Sequence, residues 1–162
     1  MLLIVIGLPG TGKSTVSKYL AERFNAKILN ADKFRQKLFK IDPEQKDQIF
    51  PKSQRDAPYH AIFLEAKKLI KAGHKIIIDA ALYSNKLVSE ARSICQNSKV
   101  LQVVCPENLV KKRLEKRMNS TPYSAGIKVH EFMKSITENI SDVDLVIDTS
   151  SDWKKLLEEK LP

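Results

Sequence analysis

The chain has 162 residues, 43% hydrophobic and 29% charged, which suits one folded globule with its own core and excludes a disordered tract or a membrane-embedded bundle. Its formal net charge of +9 at pH 7 favours an anionic partner, whether a phosphorylated small molecule or a nucleic acid. The lysines are spread over all the helical segments, which fits a solvated surface better than a single phosphate-gripping groove.

Strand-like and helix-like patterns alternate along the whole chain without repeat or linker, so residues 1–162 read as one α/β domain with a parallel sheet covered on both faces. The first strand, Leu2 to Ile6, runs into Gly7-Leu8-Pro9-Gly10-Thr11-Gly12-Lys13-Ser14 and then a helix from Thr15 to Phe24. That is G-x-x-x-x-G-K-[ST] in the strand–loop–helix setting the motif requires. Gly7, Pro9, Gly10, Thr11 and Gly12 shape a loop whose backbone N–H groups, with those of Lys13, Ser14 and Thr15 at the helix start, cradle the phosphates of ATP. Lys13 reaches the β- and γ-phosphates, and the Ser14 hydroxyl sits on Mg2+.

A second strand, Ala26 to Leu29, leads to Asp32, where the chain turns into a helix. A carboxylate there serves equally as a helix cap or as the group that orients an acceptor hydroxyl and receives its proton, and Arg35 is its neighbour one turn on. The segment Asp42 to Pro58, with three prolines, reads as a loop with a helical turn over one edge of the site. Tyr59 to Ile70 then recurs at helical spacing and stops at Gly73. Lys75 to Asp79 is an apolar strand ending in aspartate, the arrangement that puts a carboxylate on the metal side of a nucleotide site. Its distance from the helix that begins near Ser84 argues against a capping role for Asp79.

After a helix over Leu87 to Cys95 and a fourth strand from Lys99 to Cys105, Val110, Leu114 and Met118 form a packing stripe. Lys112, Arg113, Lys116 and Arg117 form a cationic edge beside it. Arg113 and Arg117 are candidates to stabilise the charge on a moving phosphoryl group, with a lid over about 106–126 and its flexible part at Asn119 to Gly126. A last strand is expected from Val143 to Asp148. No run reaches the ~18 apolar residues of a membrane span, and Met1 to Ile6 is too short for a signal-peptide core. With Cys95 and Cys105 outside any C-x-x-C pair, the expectation is a cytoplasmic protein without disulfide or structural zinc, its cysteines small buried hydrophobes. A monomer or weak homodimer is expected.

Taken together, the G-L-P-G-T-G-K-S-T loop, Asp32-x-x-Arg35, the stretch Tyr59 to Ile70 leading to Lys75 to Ala80, Arg113-x-x-x-Arg117 and Asp144 to Thr149 resemble the small P-loop kinases grouped as AAA-domain predicted kinases, relatives of polynucleotide 5′-hydroxyl kinase. The resemblance implies the P-loop NTPase fold with strand order 2-3-1-4-5 and a last strand beside the adenine. It also implies a base role for Asp32 and a substrate-phosphate role for Arg35. This chain has Ser124-Ala125-Gly126 where many such kinases carry Ser-Asp-Ala. The expected function is transfer of the ATP γ-phosphoryl group to a hydroxyl of a small metabolite, a nucleotide or a nucleic-acid end. The alternatives are a dedicated polynucleotide 5′-hydroxyl kinase, a toxin-like kinase of sugar nucleotides, and a nucleotide-dependent switch that works through a partner.

Overall fold

The computed structural model describes residues 1–42, 44–120 and 125–161. In chain order its elements are β1 (Leu2–Ile6), α1 (Lys13–Phe24), β2 (Lys27–Asn30), α2 (Ala31–Phe39), α3 (Lys52–Lys71), β3 (Ile76–Asp79), α4 (Asn85–Arg92), β4 (Ser98–Val104), α5 (Glu107–Ser120), α6 (Ile127–Ile136), β5 (Leu145–Asp148) and α7 (Trp153–Lys160). The five strands form a sheet in the order β2-β3-β1-β4-β5, every neighbouring pair parallel.

The pleat explains why β1 and β3 are apolar throughout. Leu2, Ile4, Ile6, Ile76 and Ile78 face one side, where Tyr59, Ile62 and Ala66 of α3 and Val88 and Ala91 of α4 cover them. Leu3, Val5 and Ile77 face the other, against Val16 and Leu20 of α1 and Leu157 of α7. Both faces are thus dry, as in any sheet wound on two sides by crossover helices. Among the described residues no helix is long and apolar enough to cross a membrane.

The register brings the site's strand ends level. Asn30 at the end of β2 lies opposite Asp79 at the end of β3, which lies opposite Val5 of β1, two residues before the phosphate loop.

The segment read as a loop up to Pro58 is corrected: α3 starts at Lys52 and passes through Pro58. A proline inside a helix leaves the carbonyl four residues back without its donor. Here that carbonyl is Gln54 O, and Arg35 Nε reaches it at 3.4 Å while Arg35 Nη2 donates to Arg55 O at 3.3 Å, so a side chain from α2 supplies what the ring removes. Helices α6 and α7 were not foreseen. Cys95 and Cys105 are free, and half-buried rather than buried. Of the stretch expected as the flexible part of the lid, Asn119 and Ser120 close α5 and Gly126 precedes α6, while residues 121–124 lie outside the described residues.

Ile78 is fully buried at the centre of the sheet. Ile78→Ala is expected to lower the unfolding free energy by about 2–5 kcal/mol, measured by urea titration, through lost transfer energy and the cavity left beside Asp79.

Candidate active site

The glycine-rich loop is shaped by close approaches. A Cβ on Gly7, whose φ is +148°, would stand 2.4 Å from Val103 O, so only glycine lets β1 turn back so tightly beside β4. At the other end Gly12 is the N-cap of α1 in the left-handed conformation and gives no side-chain cap, which leaves the first-turn N–H groups for an anion.

Ser14 Oγ donates to Asp79 Oδ2 at 2.9 Å, and Asn30 Nδ2 donates to the same oxygen at 3.0 Å. Asn30 also caps α2, its Oδ1 accepting from Lys33 N at 3.1 Å. Sequence reasoning missed Asn30, although an asparagine just before a helix is itself a capping signal. With the cap taken, Asp32 is not the capping residue, and Ser84 likewise caps α4 in place of Asp79. Lys13 Nζ donates to Leu8 O at 3.1 Å. Burial pushes the Lys13 ammonium below the usual lysine value, the carboxylates of Asp79 and Asp32 pull it back up, and Arg117 pushes it down, so these groups share one electrostatic neighbourhood.

Asp32 is exposed on the first turn of α2, and its Oδ1 pairs with Arg35 Nη1 at 2.5 Å. Its Oδ2 meets no donor among the described residues. Arg35 is buried and is held by Asp32 and by the α3 carbonyls, with its guanidinium over the Phe50 ring at 5.5 Å.

The two lid arginines part company. Arg117 lines the cleft with Lys13 and Asp32. Arg113 points elsewhere: its Nη1 donates to Thr149 Oγ1 at 2.7 Å and to Thr11 O at 3.3 Å, and its Nη2 to Thr149 O at 3.2 Å. It clamps the phosphate loop to the chain leaving β5 and does not line the cleft.

Two long-range contacts complete the enclosure. Asp47 accepts from Gly126 N at 2.8 Å, Val129 N at 2.8 Å and Lys128 N at 3.1 Å, and so caps α6 from a loop 79 to 82 residues earlier in the chain. His130 of α6 is buried, with Nδ1 2.8 Å from Pro9 O and Nε2 3.0 Å from Glu107 Oε1. Burial raises the Glu107 carboxyl, but Lys134 and His130 override this and hold it below the usual range.

The result is one open cleft. It is lined on the phosphate side by Pro9, Gly10, Gly12, Lys13, Ser14 and Asp79, and elsewhere by Asp32, Arg55, Phe132 and Arg117 among others. Gly7, Thr11 and Thr15 do not line it; Thr11 is buried, its Oγ1 donating to Leu8 O at 2.8 Å. A hydroxyl and a carboxylate one hydrogen bond apart beside Lys13 form an all-oxygen donor pair of the kind Mg2+ takes. Among the described residues no group of three or more His, Cys, Asp or Glu is placed to hold a metal. Ser14 and Asp79 therefore fit an ion that shares its coordination with phosphates and water.

The profile of a family described as AAA domain matches residues 2–139. A probable thymidylate kinase of Archaeoglobus fulgidus is 26% identical over an alignment 185 positions long, spanning 98% of this chain and 92% of that protein. Among solved structures, a sugar kinase from Janibacter sp. matches with a TM-score of 0.78 at 18% identity, over 99% of this chain and 91% of that one. The Mycobacterium tuberculosis APS kinase in complex with AMPPNP and APS matches at 0.72 and 17% identity, over 98% and 93%. At these identities the structural likeness speaks for the fold, which is that of P-loop kinases.

Asp47→Ala removes a charged acceptor from three N–H groups at a helix start. Unfolding free energy should fall by about 0.5–2 kcal/mol, with Asp47→Asn recovering most of it, as read by thermal or urea denaturation.

Proposed function

The chain belongs to the AAA-domain family matched across residues 2–139, and from that premise we propose that it is an ATP-dependent kinase that moves the γ-phosphoryl group to a hydroxyl of a second substrate. The observation that carries this reading is the convergence of Lys13, the Ser14–Asp79 pair, Asp32 and Arg117 on one cleft. A switch that only holds nucleotide has no need of a carboxylate with an uncommitted oxygen in the same cleft. The thymidylate, sugar and APS kinases differ in their acceptors, so likeness to them supports the chemistry and leaves the acceptor to the site.

In this reading the N–H groups at the start of α1 and Lys13 hold the β- and γ-phosphates. Ser14 and Asp79 would hold Mg2+, which when bound would supply charge neutralisation on the phosphates. Asp32, its Oδ1 fixed by Arg35, receives the hydrogen bond of the acceptor hydroxyl through Oδ2. As the hydroxyl oxygen bonds to the γ-phosphorus, the bond to the β,γ-bridging oxygen breaks, ADP departs, and the hydroxyl proton passes to Asp32. Lys13 and Arg117 meet the charge spread over the moving group.

The deciding experiment incubates γ-labelled ATP with separate pools of metabolites, nucleosides and 5′-hydroxyl oligonucleotides and asks which captures label; capture by none returns the protein to a slow ATPase or switch. Lys13→Ala is expected to lose a charge-assisted contact of ~1.5–3 kcal/mol or more in the transition state, at least tenfold in rate. Asp32→Asn should fold and bind Mg-ATP normally yet transfer phosphate about a hundredfold more slowly, because the amide cannot take the proton. Turnover within a few-fold of wild type would remove Asp32 from the chemistry.

A further inference from the structure

The transfer chemistry leaves Arg55 without a role. This α3 residue lines the cleft with its side chain only 13% exposed. Its guanidinium lies between the rings of Tyr83 and Phe132, at 5.2 and 5.3 Å from their centroids. Nη1 donates to Phe50 O at 3.2 Å, while Nε is buried without an acceptor. The carboxylate that could serve Nε, Asp56, stands 3.9 Å off and is already engaged by the Tyr83 hydroxyl at 2.8 and 2.9 Å and by Lys52. Nη2 meets no acceptor among the described residues. A guanidinium carries five N–H donors, and leaving such donors unpaired at this depth is costly even between two ring faces. Arg35, on the same wall, has Asp32 and two helix carbonyls.

A planar fork at the edge of a cleft with apolar neighbours such as Ile49, Phe132 and Met133 is the geometry that binds a carboxylate or phosphate through paired hydrogen bonds. A strap, the loop over 44–51 that lines the cleft through Gln45, Asp47 and Gln48, also limits size: Asp47 ties it to α6, and Lys46 Nζ ties it to Met118 O of α5 at 2.7 Å. We propose that Arg55 anchors an oxyanion group of the acceptor, so that the second substrate is a small hydroxyl-bearing anion with its hydroxyl at Asp32. This rests on the kinase reading and names the class of acceptor for the same site.

Binding tests the anchor apart from turnover. The protein is saturated with Mg-AMPPNP, so that the phosphate loop is filled, and titrated by calorimetry with inorganic phosphate, glycolate and glycerol. At least one of the two anions should bind and glycerol should not; phosphate alone points to a phosphate ester, glycolate alone to a hydroxy acid. Arg55→Gln should weaken that binding at least about tenfold, a fork-sized loss, and leave AMPPNP affinity unchanged. Arg55→Lys, which keeps the charge without the fork, should fall between, and it carries the comparison if melting shows the Gln variant unfolded. Failure of both anions to bind wild type, or wild-type binding by the variants that fold, overturns the anchor. In the label-capture assay, capture by no pool sinks the kinase reading itself. Capture by a neutral alcohol or a 5′-hydroxyl oligonucleotide, undiminished in Arg55→Gln, sinks only the anchor.

Discussion

The phosphate side of the cleft hangs on one carboxylate oxygen, Asp79 Oδ2, which accepts from Ser14 Oγ and Asn30 Nδ2 together. Three segments meet there: the start of α1, the end of β3 and the junction of β2 with α2. They can meet because parallel pairing sets Asn30 level with Asp79 and Asp79 level with Val5. A slip of β2 by one residue would send its side chains to the opposite face and withdraw the amide. It would also strip α2 of its cap, since the same asparagine holds Lys33 N. The position of Asp32, in the first turn of α2, is thereby tied to the strand register.

A second coupling runs through Arg35. Pro58 would break α3, but Arg35 covers the carbonyl that the ring leaves open. The same guanidinium grips Asp32 Oδ1. The orientation of the candidate base therefore depends on the continuity of a helix from another part of the chain. A lysine in its place could not span three acceptors with a planar fork. The phosphate-binding role that family resemblance gives Arg35 competes with these commitments, whereas Arg55, one turn before Pro58 on the same wall, has donors to offer.

What could be read from the sequence was local. The phosphate loop and the apolar strands depend on neighbours within a few residues, so their positions were legible to within one or two residues, whereas the apolar stripes located α3 and α4 but not their ends, α3 beginning seven residues before Tyr59; strand order came only from family resemblance. Lys13, Ser14 and Asp79 were legible for the same reason, as strand ends and loop residues. The reading failed where the partner is distant. Pro58 reads as a break unless Arg35 is known to lie against Gln54 O. Helix α6 has no capping side chain of its own, because Asp47 supplies it from far away. Arg113 and Arg117 share one pattern on one helix, yet Thr149, which follows β5, draws the first away from the cleft. No spacing rule separates them.

Helix α6 joins the two halves of the site. Its N-terminus is pinned by Asp47, and a Cβ on Gly126 would stand 2.6 Å from that carboxylate, so the strap sits as close as the backbone permits. One turn on, His130 bonds Pro9 O in the phosphate loop and Glu107 at the head of α5. Between and beyond these ties the same helix offers Val129, Phe132 and Met133 to the cleft wall, and Phe132 backs Arg55. A displacement of α6 that keeps both ties must carry the strap and the phosphate loop with it, and one that does not must break a hydrogen bond at one of them. The phosphate loop and the loop that carries Asp47 are thus coupled, because a single short helix is bonded to both.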